Sequence, residues 1–346
     1  MLKNIRKNKK KKNESSIIGR LRGWFYHGRF IGFDIQSIIM TVLTALTIIT
    51  TVIMGLLLYN RFKMAIKQTA VTNTENMVEN TVEKLDADLL NVRQITNAVN
   101  YNIIQEYDIS SRDFNRQFSL LYEINADKIQ SMALYDDKGN LLTAEPVTVQ
   151  KDAVEPSEQD WYQDAEADIE NIHFSIPHIQ NLFVDGTYRY YWVVSLSRSV
   201  DINDGEQPGS GVLLVDMKYS VIEDTLARIN DASNGIYYYL CNRDGQMIYH
   251  PRGTDMDRGY FKEEYRDAAT YEDGTYELTV NGRTSNVIVN SVAYTGWKVV
   301  GVVPESVQIA SINRFRYYII TTVIILMMML LGVNRIISKK ISRPIL

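Results

Sequence analysis

Two runs of the chain, Ile38 to Tyr59 and Tyr317 to Val333, are apolar throughout and hold no charged side chain. A helix needs roughly 17–25 such residues to cross a hydrocarbon core, so the pattern predicts two membrane-spanning helices. From Tyr59 to about Asn102 there is neither Gly nor Pro, and Val71, Val78, Leu85, Val92 and Val99 recur every seven residues. Val82 and Leu89 form a second row, which Glu75 and Thr96 interrupt. The spacing predicts one long helix with a gapped heptad seam, which either packs on a sheet of its own domain or pairs with a second copy of the chain. A second helix is expected over Asp113 to Asp127, with Phe114, Phe118, Leu121 and Ile124 on one face.

The period then changes from helical to two. Ser131 to Leu142 and Gly235 to Tyr249 each read as strand, turn, strand, with Asp137-Lys138-Gly139 and Arg243-Asp244-Gly245 supplying the positive-φ residue that a tight turn needs. Longer strands follow each hairpin: Tyr188 to Ser199 and Gly211 to Met217 after the first, then Gly274 to Val280, Arg283 to Val292 and Trp297 to Val303 after the second. The expected fold class is α+β: a long N-terminal helix and two tandem antiparallel-sheet units, about 103–218 and about 234–305, joined near Tyr219 to Ser233 and flanked by the two spans.

Charge places these parts. Lys3, Arg6, Lys7, Lys9 to Lys12, Arg20, Arg22 and Arg29 precede the first span, and Arg335, Lys339, Lys340 and Arg343 follow the second. The positive-inside bias puts both termini in the cytoplasm and residues 60–316 outside, in a two-pass cell-membrane protein. A removable signal peptide fits the first run less well, because its apolar stretch is long and begins late. The basic tail, residues 1–37, suits anionic lipid of the bilayer; a nucleic-acid arm is not expected from so short and tethered a segment. The chain carries a net charge of −4 despite that tail, so the outer region is acidic. Its one cysteine, Cys241, cannot form an internal disulfide and reads as a buried small apolar residue.

Catalytic patterns are missing from the sequence: it has no Gly-x-Ser-x-Gly elbow, no His-Glu-x-x-His helix and no Gly-rich phosphate loop. Asp136 and Asp137 sit at an expected turn, where carboxylates are ordinarily solvated. A membrane-anchored extracellular hydrolase is the alternative from a different class, and converging carboxylates in one pocket would favour it. His173 and His178 lie five apart without neighbouring metal-binding types, so no metal site and no cofactor is expected.

A long membrane-proximal helix followed by two such sheet units resembles the double Cache (dCache) sensor domains of bacterial transmembrane receptors, whose units are PAS-like. The resemblance rests on Trp161-Tyr162-Gln163-Asp164-Ala165, Ser195-Leu196-Ser197-Arg198, Gly211 to Asp216 and Gly296-Trp297-Lys298-Val299-Val300. Ile341-Ser342-Arg343-Pro344-Ile345 resembles the opening of a HAMP linker over 334–346. The resemblance implies a ligand-sensing input module, and pairing along the heptad seam would make it a homodimer. Its output domain would lie beyond these residues: a histidine kinase of a two-component system, or alternatively a chemotaxis signalling domain or a cyclase. It also implies that the membrane-distal unit, about 103–218, holds a small ligand through Tyr135, Trp161, Tyr162, His178 and Asp216. Gln159 stands where amino-acid-binding members carry an arginine, and His178 where they carry a second tyrosine. That pattern leaves an amine, an amino-acid-like molecule, a peptide or a sugar as the ligand. Trp161 could equally be a core anchor, and Asp216 a cap for the helix expected from Tyr219.

Overall fold

A computed structural model describes residues 35–169, 171–184, 189–203, 208–230, 235–260, 270–280 and 282–342. The chain divides into two compact bodies, Met1–Met64 with Ile312–Leu346, and Ala65–Ser311. The basic tail and the HAMP-like proline fall outside the described residues.

In the first body, the helix α1 (Ile35–Val99) and the last helix, α6 (Glu305–Ser342), each carry a stretch long and apolar enough to cross a membrane. They touch along a seam. A side chain at Gly55 would press on Val323, Phe62 stacks on Phe315 with ring centroids 6.2 Å apart, and buried Asn334 donates its side-chain amide to Thr47 Oγ1 at 3.1 Å. A polar hydrogen bond on an otherwise apolar seam fixes the register of the two helices.

The second body is built on the remainder of α1, which ends in a π-turn, Asn100–Ile104. Ser111 then caps α2 (Arg112–Asn125) by accepting from Phe114 N at 3.1 Å. Phe114 and Phe118 turn inward from that helix and are fully buried.

The first sheet follows, with β1 (Ile129–Asp136), β2 (Leu141–Glu145), β3 (His173–Phe174), β4 (His178–Ile179), β5 (Trp192–Asn203) and β6 (Pro208–Lys218). A short helix, α3 (Asp160–Ala167), lies between β2 and β3 in the chain. After α4 (Ser220–Ile229) comes the second sheet: β7 (Tyr237–Cys241), β8 (Met247–Tyr249), β9 (Gly274–Val280), β10 (Arg283–Ser291) and β11 (Lys298–Pro304), with α5 (Gly253–Asp257) after β8. The strand orders are β2-β1-β6-β5-β3, with β4 also on β5, and β8-β7-β11-β10-β9. Both sheets thus repeat one plan, in which an opening hairpin is joined at its first strand by the last strand of the unit.

The two opening turns match atom for atom. Asp136 Oδ1 accepts from the backbone N–H of Lys138 and Asn140, and Asn242 Oδ1 accepts from those of Asp244 and Gln246. Gly139 and Gly245 take φ values of 80° and 75°, as the Asp/Gly pattern predicts.

The heptad question resolves inward. Val78, Leu85, Val92 and Val99 are fully buried, and with Leu89 they pack in one core that takes residues from both sheets, including Leu134, Leu196, Leu240 and Val299. The second row holds in part, with Leu89 and Thr96 buried and Val82 packed against the core, but the buried face is wider than the sequence suggested. Thr74, Thr81, Asp88 and Ile95, one position earlier, are buried, while Glu75 and Val82 are only partly covered. Thr74 and Thr81 can be buried because each hydroxyl donates to the carbonyl four residues back, Ala70 O at 2.9 Å and Met77 O at 2.6 Å. Asp88 is paired with Lys84 and Lys128.

Threonines also let the second sheet come close. A Cβ placed on Gly301 of β11 would lie 2.6 Å from Thr74 Cγ2 and 2.8 Å from Val78 Cγ2. Gly301→Ala is therefore expected to lower the stability of the second body by about 1–3 kcal/mol through overpacking. Thermal denaturation checks this, and an unchanged melting temperature would show that helix and sheet are not held at this distance.

Candidate functional site

Each sheet has one face toward α1 and one away from it. On the first sheet the away face carries Ala133 and Tyr135 of β1 and Val212 and Leu214 of β6, covered by Trp161, Tyr162 and Ala165 of α3 and by Leu182 and Phe183. Side chains alternate along a strand, so Ser131, Asp216, Ser195 and Ser197 share that face. Ser131, Asp216 and Ser195 form one transverse row across β1, β6 and β5.

Asp216 is the centre of the row and is 1% exposed. Its Oδ2 accepts from Ser131 Oγ at 2.6 Å and its Oδ1 from Ser195 Oγ at 2.5 Å. Burial pushes its pKa above the ordinary carboxylate value, while the two serines and His178 pull it back part of the way. Its carboxylate is thus spent on the neighbouring strands and not on the start of α4, whose N-cap has no side-chain hydrogen bond. The capping role weighed for Asp216 is set aside.

His178, on β4, reaches the row from the sheet edge. Its Nε2 lies 3.3 Å from Ser195 Oγ, and its Nδ1 lies 3.1 Å from Ile176 O and 3.3 Å from Ser175 Oγ. Tyr135 is fully buried and stacks at 5.5 Å on Trp161, which is 8% exposed. Burial, then the nearby Asp216 charge, raises the phenol well above its usual pKa. The structure therefore brings Tyr135, Trp161, His178 and Asp216 onto one face. Tyr162 packs there too, but its hydroxyl donates to Asp136 O at 2.7 Å and so ties α3 to the opening turn. Burial, then nearby carboxylates, pushes its pKa up to about 12. His173 has its Nε2 3.2 Å from Asp168 O, and no group of three or more metal-binding side chains occurs among the described residues.

Two hydroxyls are left over. Tyr135 OH and Ser197 Oγ are buried with no hydrogen-bond partner among the described residues. An orphaned buried polar group costs about 1–3 kcal/mol, which a fold tolerates where a ligand completes the bond. Ser197→Ala is accordingly expected to leave the unliganded protein as stable or slightly more so, and to weaken ligand binding. A melting temperature lowered by the substitution would instead give the serine a structural role.

The second unit provides an internal control. Counted from the matching turns, Ser131, Asp216 and Ser195 correspond to Tyr237, Val302 and Val287, and Ser197 corresponds to Val289. There Val287, Val289, Val300 and Val302 simply form a buried apolar cluster with Tyr239 and Cys241. The fold does not require polarity at these positions, so the first unit carries it for another purpose. The sequence reading missed the serines, although Ser195, Ser197 and Ser199 alternate through β5 and mark a polar stripe on one face.

The Cache-domain family model dCache_1 matches residues 62–312. The chain belongs to the dCache family. It is similar to a probable methyl-accepting chemotaxis protein of Bacillus thuringiensis subsp. konkukian, 20% identical over 301 residues, which are 84% of this chain and 42% of that protein. The methyl-accepting chemotaxis protein TlpB of Bacillus subtilis is 23% identical over 231 residues, 66% of this chain and 30% of that one. The chain thus spans less than half the length of either curated relative. Among solved structures, the ligand-binding domain of the Campylobacter jejuni chemoreceptor Tlp3, in complex with 4-methylisoleucine, matches with a TM-score of 0.53 at 11% identity, covering 70% of this chain and 94% of that one. The ligand-binding domain of Pseudomonas fluorescens chemoreceptor CtaA, in complex with L-leucine, matches at 0.51 and 19% identity, covering 71% and 99%. These likenesses are likenesses of fold. This dCache chain is a ligand-sensing domain of a membrane receptor, with two candidate membrane helices flanking the sensor.

Proposed function

We propose that the away face of the first sheet binds a small extracellular ligand through an ammonium group held by Asp216, with Tyr135 and Trp161 against its apolar part. The single observation behind this reading is the buried Ser131-Asp216-Ser195 row, which the equivalent row of the second unit replaces with Tyr237, Val302 and Val287. A buried carboxylate held by two hydroxyls is preorganised for a cation, and a charged hydrogen bond is worth about 1.5–3 kcal/mol. Gln159 supplies no cation for a carboxylate; its side chain donates to Glu155 O at 3.3 Å. Amines, and amino-acid-like or peptide ligands whose carboxylate is held elsewhere, fit this arrangement better than sugars. Related sensor domains hold 4-methylisoleucine and L-leucine, which also carry an ammonium group.

The module passes a ligand-dependent shift through α1 and α6 to an output domain, with the sensor outside the cell and both termini in the cytoplasm. A methyl-accepting chemotaxis output is favoured over the histidine kinase expected from the sequence, because the curated relatives are chemotaxis receptors. We assign no catalytic step. His178 does not stand between Asp216 and a serine; instead Ser195 lies between them, so the serine is held by the acid rather than activated by the histidine.

The test is a thermal-shift series on the full chain in lipid nanodiscs with tyramine, ethanolamine, L-leucine and glucose. A binder stabilises by RT ln(1 + [L]/Kd), so millimolar doses reveal micromolar affinities. Stabilisation by an ammonium-bearing probe is the expected result. Stabilisation by glucose alone would overturn the assignment of Asp216.

A further inference from the structure

Strand β5 presents Ser195 and Ser197 to the Asp216 face, so Leu196 and Arg198 point the other way, toward α1. Arg198 meets α1 where that helix ends. Its Nη1 donates to Asn97 Oδ1 at 2.8 Å, and its guanidinium carbon lies 5.6 Å from the centre of the Tyr101 ring. Asn100 falls between these two on the same helix face, three residues on from Asn97. It is 3% exposed, and its side-chain oxygen accepts no hydrogen bond among the described residues. Arg198 Nε is buried as well and donates none.

These two orphans are complementary, one an acceptor and one a donor, in a single helix-strand contact. Leaving both unpaired in the interior is costly, and a fold tolerates it where another arrangement completes the pair. The backbone has give at this point. Gln105 N donates to Asn100 O at 3.1 Å, five residues back instead of four, so the helix has already left its regular ladder. Two strands across the sheet, the hold on α1 is of another kind: Lys128, just before β1, reaches Asn91 Oδ1 at 3.3 Å and the carboxylate of Asp88 at 3.6 Å. β1 thus has a charged anchor on α1. β5 meets one amide that is taken and a second, about 4.5 Å further along the helix axis, that is not.

We propose that Asn97 and Asn100 are two alternative seats for Arg198, and that stepping from one to the other slides β5 against the distal end of α1. Packed elements change place in such steps, from one side chain to the next along a helix, without melting. The length of the arginine side chain absorbs part of the distance, so the strand itself moves by less than the full separation of the seats. A ligand on the Asp216 face biases the two seats, because Ser195 and Ser197 belong to the same strand as Arg198. That consequence rests on the proposed function, and the seats themselves do not.

Nitroxide labels at Gln94→Cys and Asp201→Cys, both exposed positions, report the separation of α1 and β5 by pulsed electron spin resonance on the full chain in nanodiscs, with fully buried Cys241 left in place. Asn97→Ala should move the principal distance by about 1–5 Å as Arg198 takes the Asn100 seat. Asn100→Asp should move it the same way, since a carboxylate outcompetes a neutral amide for a guanidinium, and it serves where the alanine variant folds poorly. Asn100→Ala should keep the parent's distance, and adding it to Asn97→Ala should abolish the displacement. Two results would overturn the proposal: an unmoved distance in the folded Asn97→Ala and Asn100→Asp variants, or a displacement that persists once Asn100→Ala is added. Displacement in these variants together with no thermal shift by tyramine would support the seats and count against the ammonium reading alone.

Discussion

Leu85→Asp is expected to unfold the sensor body outright rather than to separate two intact copies. Leu85 is fully buried in the core that takes residues from both sheets, and an aspartate there loses the leucine's contacts and also buries an unpaired charge. Truncation alone costs about 2–5 kcal/mol at a core leucine, and an unpartnered buried carboxylate adds several more. A domain whose whole stability is about 5–15 kcal/mol does not survive both in one position. Val78→Asp follows the same logic at the point where Thr74, Val78 and Gly301 meet. Circular dichroism with size-exclusion chromatography of the full chain distinguishes the outcomes. Loss of the cooperative melt is expected; a native melt with a change only in oligomeric state would mean that the stripe faces a partner and that the packing on the sheets is wrong.

That result bears on what the sequence could reveal. The rows at Val78, Leu85 and Val92 were legible because valine and leucine at sevenfold spacing have one physical meaning on a helix, burial of that face. What they bury against was not, since a sheet of the same chain and a second helix accept the same stripe. The extra row beside Leu89 and Thr96 was not legible because Thr74 and Thr81 look polar in isolation. Their hydroxyls are satisfied by Ala70 O and Met77 O, so each presents a methyl group outward and is buried. The opening turns were legible for the opposite reason: Asp136 with Gly139, and Asn242 with Gly245, encode their geometry locally. At the site, Tyr135, Trp161 and Asp216 could be picked out from their resemblance to a family pattern. The serines that hold Asp216 depend on strand register, which no short stretch of sequence displays. Only with β1, β6 and β5 aligned does Ser131 come level with Ser195, and only with both sheets in hand does Val302 become the counterpart of Asp216.

Asp216→Asn should then separate folding from binding. Asparagine keeps the shape and can still accept from one serine while donating to the other, so the row remains closed and its charge disappears. The sign of the pH effect follows from the raised pKa of Asp216. At pH values below the ordinary aspartate range the carboxyl is protonated in folded and unfolded chains alike, and its contribution is fully present. As pH rises, the unfolded chain ionises first while the folded chain resists, so stability is lost between the ordinary value and the raised one. The asparagine variant has no such loss. Its melting temperature should match that of the parent in acid and exceed it toward neutral pH, with Asp108 and Asp136, both lowered by hydrogen bonds around them, contributing equally to each protein. Binding should move the other way. An ammonium ligand needs the ionised carboxylate, so its capture by the parent releases a proton near the raised pKa, and its affinity climbs with pH up to that value. The variant should lose about 1.5–3 kcal/mol, roughly 10- to 150-fold in affinity for an amine probe, with no proton release. Calorimetry in two buffers of different ionisation enthalpy measures both quantities. A variant that gains stability yet binds the amine as tightly as the parent would leave the charge of Asp216 without a ligand to serve.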